Sequence, residues 1–537
     1  MSGILLLAIV AAVFIFTYFT YGKYLEKKLD VDPNRKTPAH EMADGIDYVA
    51  TNRPVLLGHH FATIAGAGPI VGPVSAAVFG WIPALLWIVL GSIFFGGTHD
   101  FASLQASIRH KAQSIGTIIK QYIGNRGQIL FLSFSTATLI LIVGVFTVLV
   151  ADTFEAAPEA ATASLLFIAL SILFGFAVNQ LRMNFVIASI IGVILLFACI
   201  WLGMLFPLQL SATTWVIILL VYAFVASVLP VWVLLQPRDY LNSYLLYAMM
   251  IGGFIGVLFY NPTIELSAFT GFYNETLGPL FPILFITIAC GAISGFHSLV
   301  ASGTTAKQLN SEKDARFIAY GGMLIEGFLA VIVLLSVAYL TTGAFSERLT
   351  SAGGPIPTFA MGLSEFMSAF GLPVATGFTF VSLAASAFLM TTLDSATRLG
   401  KYGVQEFAEG RSKFFSNQFV ATLVVVVGAG ALALSGTWAS LWPLFGSANQ
   451  MLGALALMAV SVWLIRRGIR SYFTIIPMTF MFLVTISALI VLMVNNFLVG
   501  NIFLACAGFV LFALCIFLIF EAWNNFVTKI KDTEVKA

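Results

Sequence analysis

Apolar runs of roughly 20 residues, enough to cross a hydrocarbon core of about 30 Å as helix, recur along this 537-residue chain from Gly3 to Ala522 with little between them. No other property limits the possible folds so tightly. Hydrophobic residues make up 59% of the chain and charged ones 9%, where a soluble domain is about a quarter charged. The runs lack the period-two alternation of a membrane strand, which excludes a barrel and leaves an all-α polytopic membrane protein. Breaks at charged or turn-rich stretches give fifteen spans, near 3–21, 55–78, 81–99, 129–151, 161–178, 184–206, 213–235, 242–260, 280–301, 316–342, 371–394, 417–436, 438–465, 471–495 and 500–522. The gaps are too short for a soluble domain, and a net charge of +2 gives no reason to expect nucleic acid as a partner.

Lysines and arginines concentrate in cytoplasmic loops. With the N-terminus outside, every basic residue except Arg348 falls inside and the C-terminus is cytoplasmic, while outer loops such as ADTFEAAPEA are acidic or neutral. A missing or extra span would invert all later loops, so the tally supports number and direction together. The first run has no basic residue ahead of it and no small-residue cleavage site after it, as expected of a retained helix rather than a signal peptide. Cys199, Cys290, Cys506 and Cys515 sit inside apolar runs without paired spacing, which marks them as small core residues.

The stretch GHHFATIAGAGPIVGP, residues 58–73, sets helix breakers and polar groups in the middle of the second span. Irregular backbone survives in hydrocarbon only where protein or a watery cavity satisfies its polar groups. Half-helices that end at mid-membrane turn amides toward one ligand and carbonyls toward another. Gly66, Ala67, Gly68 and Gly72, with His59 and His60, are therefore candidate substrate contacts; the plainer alternative is a proline kink. An inverted repeat needs a second break, and VASVLPVW with Pro230 in span seven offers one, pairing spans two to six with spans seven to eleven. A third break is expected at LWPLFGSANQ around Pro443.

Ionisable groups inside spans mark pathways by default. Glu326, in GGMLIEGFLA, stands alone among apolar neighbours, as a proton carrier or as a structural hydrogen-bonding group to a neighbouring helix. Ser294, His297, Ser298 and Ser302 share one helix face, as cavity-lining groups or as a satisfied packing stripe. His99 and Asp100 near the inner end of span three join His297 and Glu326 as candidates for proton coupling. Asp394, below Ser382 and Ser386 at multiples of four, is a further candidate, although an exposed ion pair with Arg398, one turn on at the inner helix end, is the plainer expectation.

TNRPVLLGHHFATIAGAGPIVGP, ACGAISGFHSLVASGTTAKQL, YGGMLIEG, TTLDSATR and WPLFGSANQ together resemble the carbon starvation protein A (CstA) family of prokaryotic inner-membrane transporters, in the family's order from about residue 50 to 450. TTLDSATR departs from the TTLDAGTR expected there. The resemblance implies uptake of pyruvate or short peptides, by proton symport in the pyruvate members, and a five-plus-five inverted-repeat core related to the amino acid–polyamine–organocation transporters. Residues 1–53 are then an added helix and cytoplasmic loop, 54–394 the transport core, and 395–537 added helices and a cytoplasmic tail. The expected partners are the small-molecule substrate, a coupling proton and membrane lipid, with no cofactor or metal and with the oligomeric state open. GxxxxGK[ST] is absent, so an ion gradient supplies the energy. Two rival readings are an intramembrane metalloenzyme liganded by His59, His60, His99, Asp100 and His297, and a passive channel.

Overall fold

The computed structural model describes every residue except 45–47, 231–232, 276, 409–411 and 535–537. Helix dominates, because a backbone in hydrocarbon has to satisfy its own amides and carbonyls. α1 (Gly3–Phe19) leads through a short helix, Tyr21–Lys28, to an interrupted pair, α2 (Arg53–Ile64) and α3 (Gly68–Ala76). α4 (Trp81–Arg109) carries a π turn at Gly91–Gly96. Then come α5 (Asn125–Ala156), α6 (Pro158–Asn179), α7 (Phe185–Leu205), α8 (Ala212–Val228) and α9 (Leu235–Tyr260). After an antiparallel ribbon pairing Tyr273 with Pro279 stands a second interrupted pair, α10 (Leu280–Thr287) and α11 (Gly295–Val300). The chain continues as α12 (Gly321–Ala338), α13 (Pro355–Ser368), α14 (Val374–Ala408), α15 (Gln418–Ser435), α16 (Trp438–Arg466), α17 (Tyr472–Leu498) and α18 (Ile502–Ala522).

Among the described residues twelve helices are long and apolar enough to cross a membrane, or thirteen when α2 and α3, bent by 48°, form one span. α8, at 17 residues, is a shorter apolar helix. The chain is thus an all-α, multi-pass membrane protein. Side-chain caps start several helices: Asn184 accepts from the amides of Val186 and Ile187, Ser211 from Thr214, and Thr437 forms a capping box with Ser440.

Within an apolar 18-residue stretch of each segment, 89% of residues are buried in Glu312–Ala338 and Trp438–Arg466, against 28% in Gly3–Lys28 and Ile502–Ala522, so α12 and α16 are central while α1 and α18 lie at the rim. α5 runs along α14, α3 packs on α12, and α11 packs on α16.

Three breaks differ from expectation. The first is narrower than 66–72: only Ala65, Gly66 and Ala67 leave the helix, since Pro69 sits in the first turn of α3, where a missing donor costs nothing, and Pro73 is accommodated inside it. Pro230 does not interrupt α8 but follows its end at Val228, a normal place for a proline after a helix terminus; Val231 and Trp232 of the VASVLPVW stretch lie outside the described residues. Pro443 lies inside an unbroken α16. The second interruption is instead at Ile288–Ser294, between α10 and α11.

Candidate functional site

The two interruptions differ in how their backbones are satisfied. At the first, Ala65 turns out of the helix (φ −76°, ψ 61°). The carbonyls of Ala65 and Gly66 and the amide of Ala67 have no hydrogen-bond partner among the described residues, although all three residues are buried. A Cβ on Gly66 would stand 2.5 Å from Thr392 Oγ1, so α14 packs directly against the break there. The Thr392 hydroxyl is also buried without a partner. Two carbonyls, one amide and one hydroxyl at membrane depth thus lack a partner among the described residues.

Gly68 and Gly72 have a different job. A Cβ on Gly68 would fall 2.0 Å from Cys290 Cβ, and one on Gly72 would fall 2.9 Å from the Thr287 carbonyl. Both glycines let α3 touch the second interruption, where a close approach by cargo was expected.

At the second interruption the protein supplies the partners itself. Trp442 Nε1 donates to the Thr287 carbonyl at 3.0 Å. Trp87 Nε1 donates to the carbonyls of Phe285 and Ile288 at 3.1 and 3.2 Å, and Gln450 Nε2 donates to Phe285 at 2.6 Å. Ser92 Oγ donates to the Gly291 carbonyl at 3.0 Å. Asn449 Oδ1 accepts the Phe296 amide at 2.9 Å, and its Nδ2 donates to Ser294 Oγ at 3.0 Å. WPLFGSANQ is therefore a set of side chains that satisfies a break on another helix. Ser298 donates to its own turn at the Gly295 carbonyl, 2.7 Å away, so Ser294 and Ser298 are both spent within the protein.

Beside these interruptions lies a cluster of buried ionisable groups. Asp100 accepts from His99 Nδ1 at 2.7 Å and from His297 Nδ1 at 2.8 Å, one carboxylate oxygen for each ring. A carboxylate accepts only, so each ring carries its proton on Nδ1. On its other side, His297 Nε2 is 3.5 Å from Glu326 Oε2. Among the described residues neither Glu326 oxygen has a hydrogen-bond partner, nor does His297 Nε2 or His99 Nε2. His60, on α2, gives Nδ1 to a contact of 2.8 Å with Thr305 Oγ1 and lies against Gly322, one turn before Glu326. His59, half-buried on the same helix, takes no part in these bonds. No group of three or more His, Cys, Asp or Glu side chains among the described residues is arranged to hold a metal ion.

Asp394 belongs to a second cluster, with a partner other than the expected one. It pairs with Arg238, accepts from Tyr222 Oη at 2.8 Å, and is wholly buried. Arg238 also donates to Thr391 Oγ1 at 3.2 Å, which Asn242 Nδ2 reaches at 3.0 Å. Arg398 turns away and donates to the carbonyls of Ala226 and Leu229 at 2.9 and 2.7 Å, closing the end of α8. Arg238, only 1% exposed, escaped the sequence reading because an arginine in a loop-like QPRDY reads as a cytoplasmic charge.

The model of the family described as "Carbon starvation protein CstA" matches residues 2–350 and 342–488. The chain is 32% identical to the "Peptide transporter CstA" of Escherichia coli (strain K12), over 89% of this chain and 79% of that one. It is 33% identical to the "Pyruvate/proton symporter BtsT" of the same organism, over 89% and 80%, and 33% identical to the "Peptide transporter CstA" of Bacillus subtilis (strain 168), over 82% and 81%. Among solved structures, that of a mutant manganese transporter from Eremococcus coleocola matches with a TM-score of 0.42 and 12% identity over 88% of this chain and 96% of that one, too slight a likeness for any argument. With a family model spanning most of its length and relatives above 30% identity along most of theirs, the chain belongs to the carbon starvation protein CstA family.

Proposed function

We propose that the chain is a secondary active transporter that imports short peptides or a small carboxylate such as pyruvate, driven by protons moving down their gradient. The relatives' names support transport of these substrate classes. The observation that carries the proton part is His297 held between Asp100 and Glu326 in a fully buried setting. With Nδ1–H committed to Asp100, His297 Nε2 is free to take a proton from Glu326 and return it. In one state Glu326 is a neutral acid beside a neutral ring; in the other a carboxylate faces an imidazolium. Either state leaves only one net charge in the cluster, since Asp100 stays ionised throughout. The open backbone at 65–67 would hold the cargo, and His60 joins the two because it rides on α2 and contacts α12 one turn from Glu326.

The same reading takes the chain as fifteen crossings with its N-terminus outside and its C-terminus in the cytoplasm of a prokaryote, across the inner membrane. The α2–α3 pair, α4, α5, α6 and α9 form one copy of a five-helix repeat, and the α10–α11 pair, α12, α14, α15 and α16 the other, with α7 and α8 inserted as a pair that restores direction. Reciprocal contacts support this register: α9 packs on α14 as α16 packs on α5, and α2 packs on α9 as α10 packs on α16. The core then runs through Arg466, beyond the boundary at 394, because the side chains that satisfy the second interruption come from α16.

Purified protein in proteoliposomes, offered labelled pyruvate and a labelled dipeptide under separate proton and sodium gradients, tests the proposal. Accumulation above equilibrium under the proton gradient is the expected result. Uptake that stops at equilibrium under every gradient would mark a passive channel, and accumulation driven by sodium alone would remove the proton role of Glu326 and His297.

A further inference from the structure

A cavity of about 830 Å³ opens between the end of α5, the short helix Thr342–Ser351 with the turn after it, and the first turns of α13 and α16, at the end that the basic-residue tally assigns to the outside. Asp152 and Glu155 line it from the last turns of α5, Ser75 from α3, Phe378 from α14 and Trp438 from the first turn of α16. No lysine, arginine or histidine stands among the lining residues. Arg348, the single basic residue assigned to this side, is engaged elsewhere: its Nη1 donates to Tyr339 Oη at 2.6 Å and to Glu365 Oε1 at 3.0 Å. An anion arriving here meets two carboxylates and no counter-charge. Asp152 and Glu155, three residues apart on one helix, are neighbours on its surface; Glu155 Oε1 already accepts the Ala212 amide at 3.2 Å, and a cation between the two carboxylates relieves their mutual repulsion.

A second observation is independent of the acidic pair. Ser75 is 2% exposed, its hydroxyl has no hydrogen-bond partner among the described residues, and it forms part of the cavity wall. A buried hydroxyl left without a partner is unfavourable, and a polar ligand in the cavity would relieve that.

We infer that this cavity receives the amino end of a short peptide. The ammonium lies between Asp152 and Glu155, the first peptide unit meets Ser75 Oγ, and the side chains rest on Phe378 and Trp438. The volume falls in the range of small-ligand pockets and far exceeds what a three-carbon acid fills. This inference rests on the transport reading above and narrows it: the cargo is a peptide, recognised by its positive end before it reaches the interruption at 65–67.

The full chain in detergent is titrated with Ala-Ala, N-acetyl-Ala-Ala and pyruvate by calorimetry, and the same three are offered to proteoliposomes. Acetylation removes the ammonium without altering the protein, so it is expected to weaken binding at least about tenfold, the scale of one lost charge-assisted contact. Asp152→Asn should weaken Ala-Ala binding by a similar factor, Asp152→Glu should restore part of it, and Ser75→Ala should weaken it less. Equal affinity for the free and acetylated dipeptides would overturn the inference, as would accumulation of pyruvate with no binding of Ala-Ala. The transport reading survives that second outcome. Ala-Ala bound with the expected preference but never accumulated would leave this site standing and sink the transport reading instead.

Discussion

His297 presents Nε2 to Glu326 Oε2 across 3.5 Å while its Nδ1 is tied to Asp100 at 2.8 Å. The ring is thus fixed in orientation by one carboxylate and left free to exchange a proton with another. Glu326 adds no hydrogen bond of its own that would hold it in either protonation state. A carboxyl group committed to a purely structural role would be expected to make such a bond.

Glu326→Gln removes the acid while keeping the side chain's size. A proton gradient of one pH unit is worth about 1.4 kcal/mol per proton and supports about tenfold accumulation. The glutamine variant should fall to equilibrium uptake while still exchanging labelled for unlabelled substrate across proteoliposomes. Tenfold accumulation by the variant would take Glu326 out of the mechanism.

The Arg238–Asp394 pair yields a stability prediction. Removing one member of a buried pair strands the other charge and costs about 3–5 kcal/mol, whereas replacing both with apolar groups is often neutral. Arg238→Met should therefore lower the thermal midpoint in detergent markedly, and adding Asp394→Leu should recover part of the loss, the remainder coming from Asp239, which also pairs with Arg238 at 3.5 Å. A single variant as stable as the parent would show that the pair is unimportant to the fold. Transport at the parental rate by the recovered double variant would remove Asp394 from proton coupling.

The contrast between these two clusters shows what the sequence made legible. Long apolar runs and the Gly-Pro cluster after His60 are local signals, and both the membrane class and the first interruption could be read from them. The second interruption could not. IACGAISG has no proline, its glycines read as ordinary helix contacts, and the groups that make an irregular backbone tolerable there, Trp442, Asn449 and Gln450, lie some 150 residues away. Asp394 read as an exposed acid at an inner helix end, with Arg398 as its partner by spacing; both its burial and its partner were invisible locally. Tertiary packing chose Arg238, from a helix whose proximity no local pattern encodes. Prolines misled for a similar reason: Pro230 follows a helix end and Pro443 is absorbed in a central helix, and neither context is visible in the residues beside them.

Gly68 touches Cys290 so closely that any side chain must displace it. Gly68→Ala should cost about 1–3 kcal/mol through overpacking and impair transport. Cys290→Gly, placed in the same chain, removes the obstructing Cβ and should restore a large part of both. Failure of the second change to help would mean that Gly68 is needed for something other than this contact, such as room for cargo.

Trp442 is the sole donor found for the Thr287 carbonyl among the described residues. Trp442→Phe keeps the ring and deletes the N–H, leaving that carbonyl unpaired at a cost of about 1–3 kcal/mol. Amide hydrogen exchange across 288–294 should speed up while α5 and α14 are unaffected. Unchanged exchange there would show that the second interruption does not depend on α16.

Thr392 offers the complementary test, because its hydroxyl faces the first interruption and bonds to nothing. Exchanging a buried, unpartnered hydroxyl for a methyl group removes a desolvation penalty without breaking any bond. Thr392→Val should accordingly melt at the same temperature as the parent or slightly higher. If the hydroxyl and the open carbonyls of Ala65 and Gly66 receive a ligand together, the same variant should show a KM raised several-fold or a loss of accumulation. A change that stabilises the protein and weakens transport separates a binding role from a packing role; a variant unaltered in uptake would place the cargo away from the 65–67 opening.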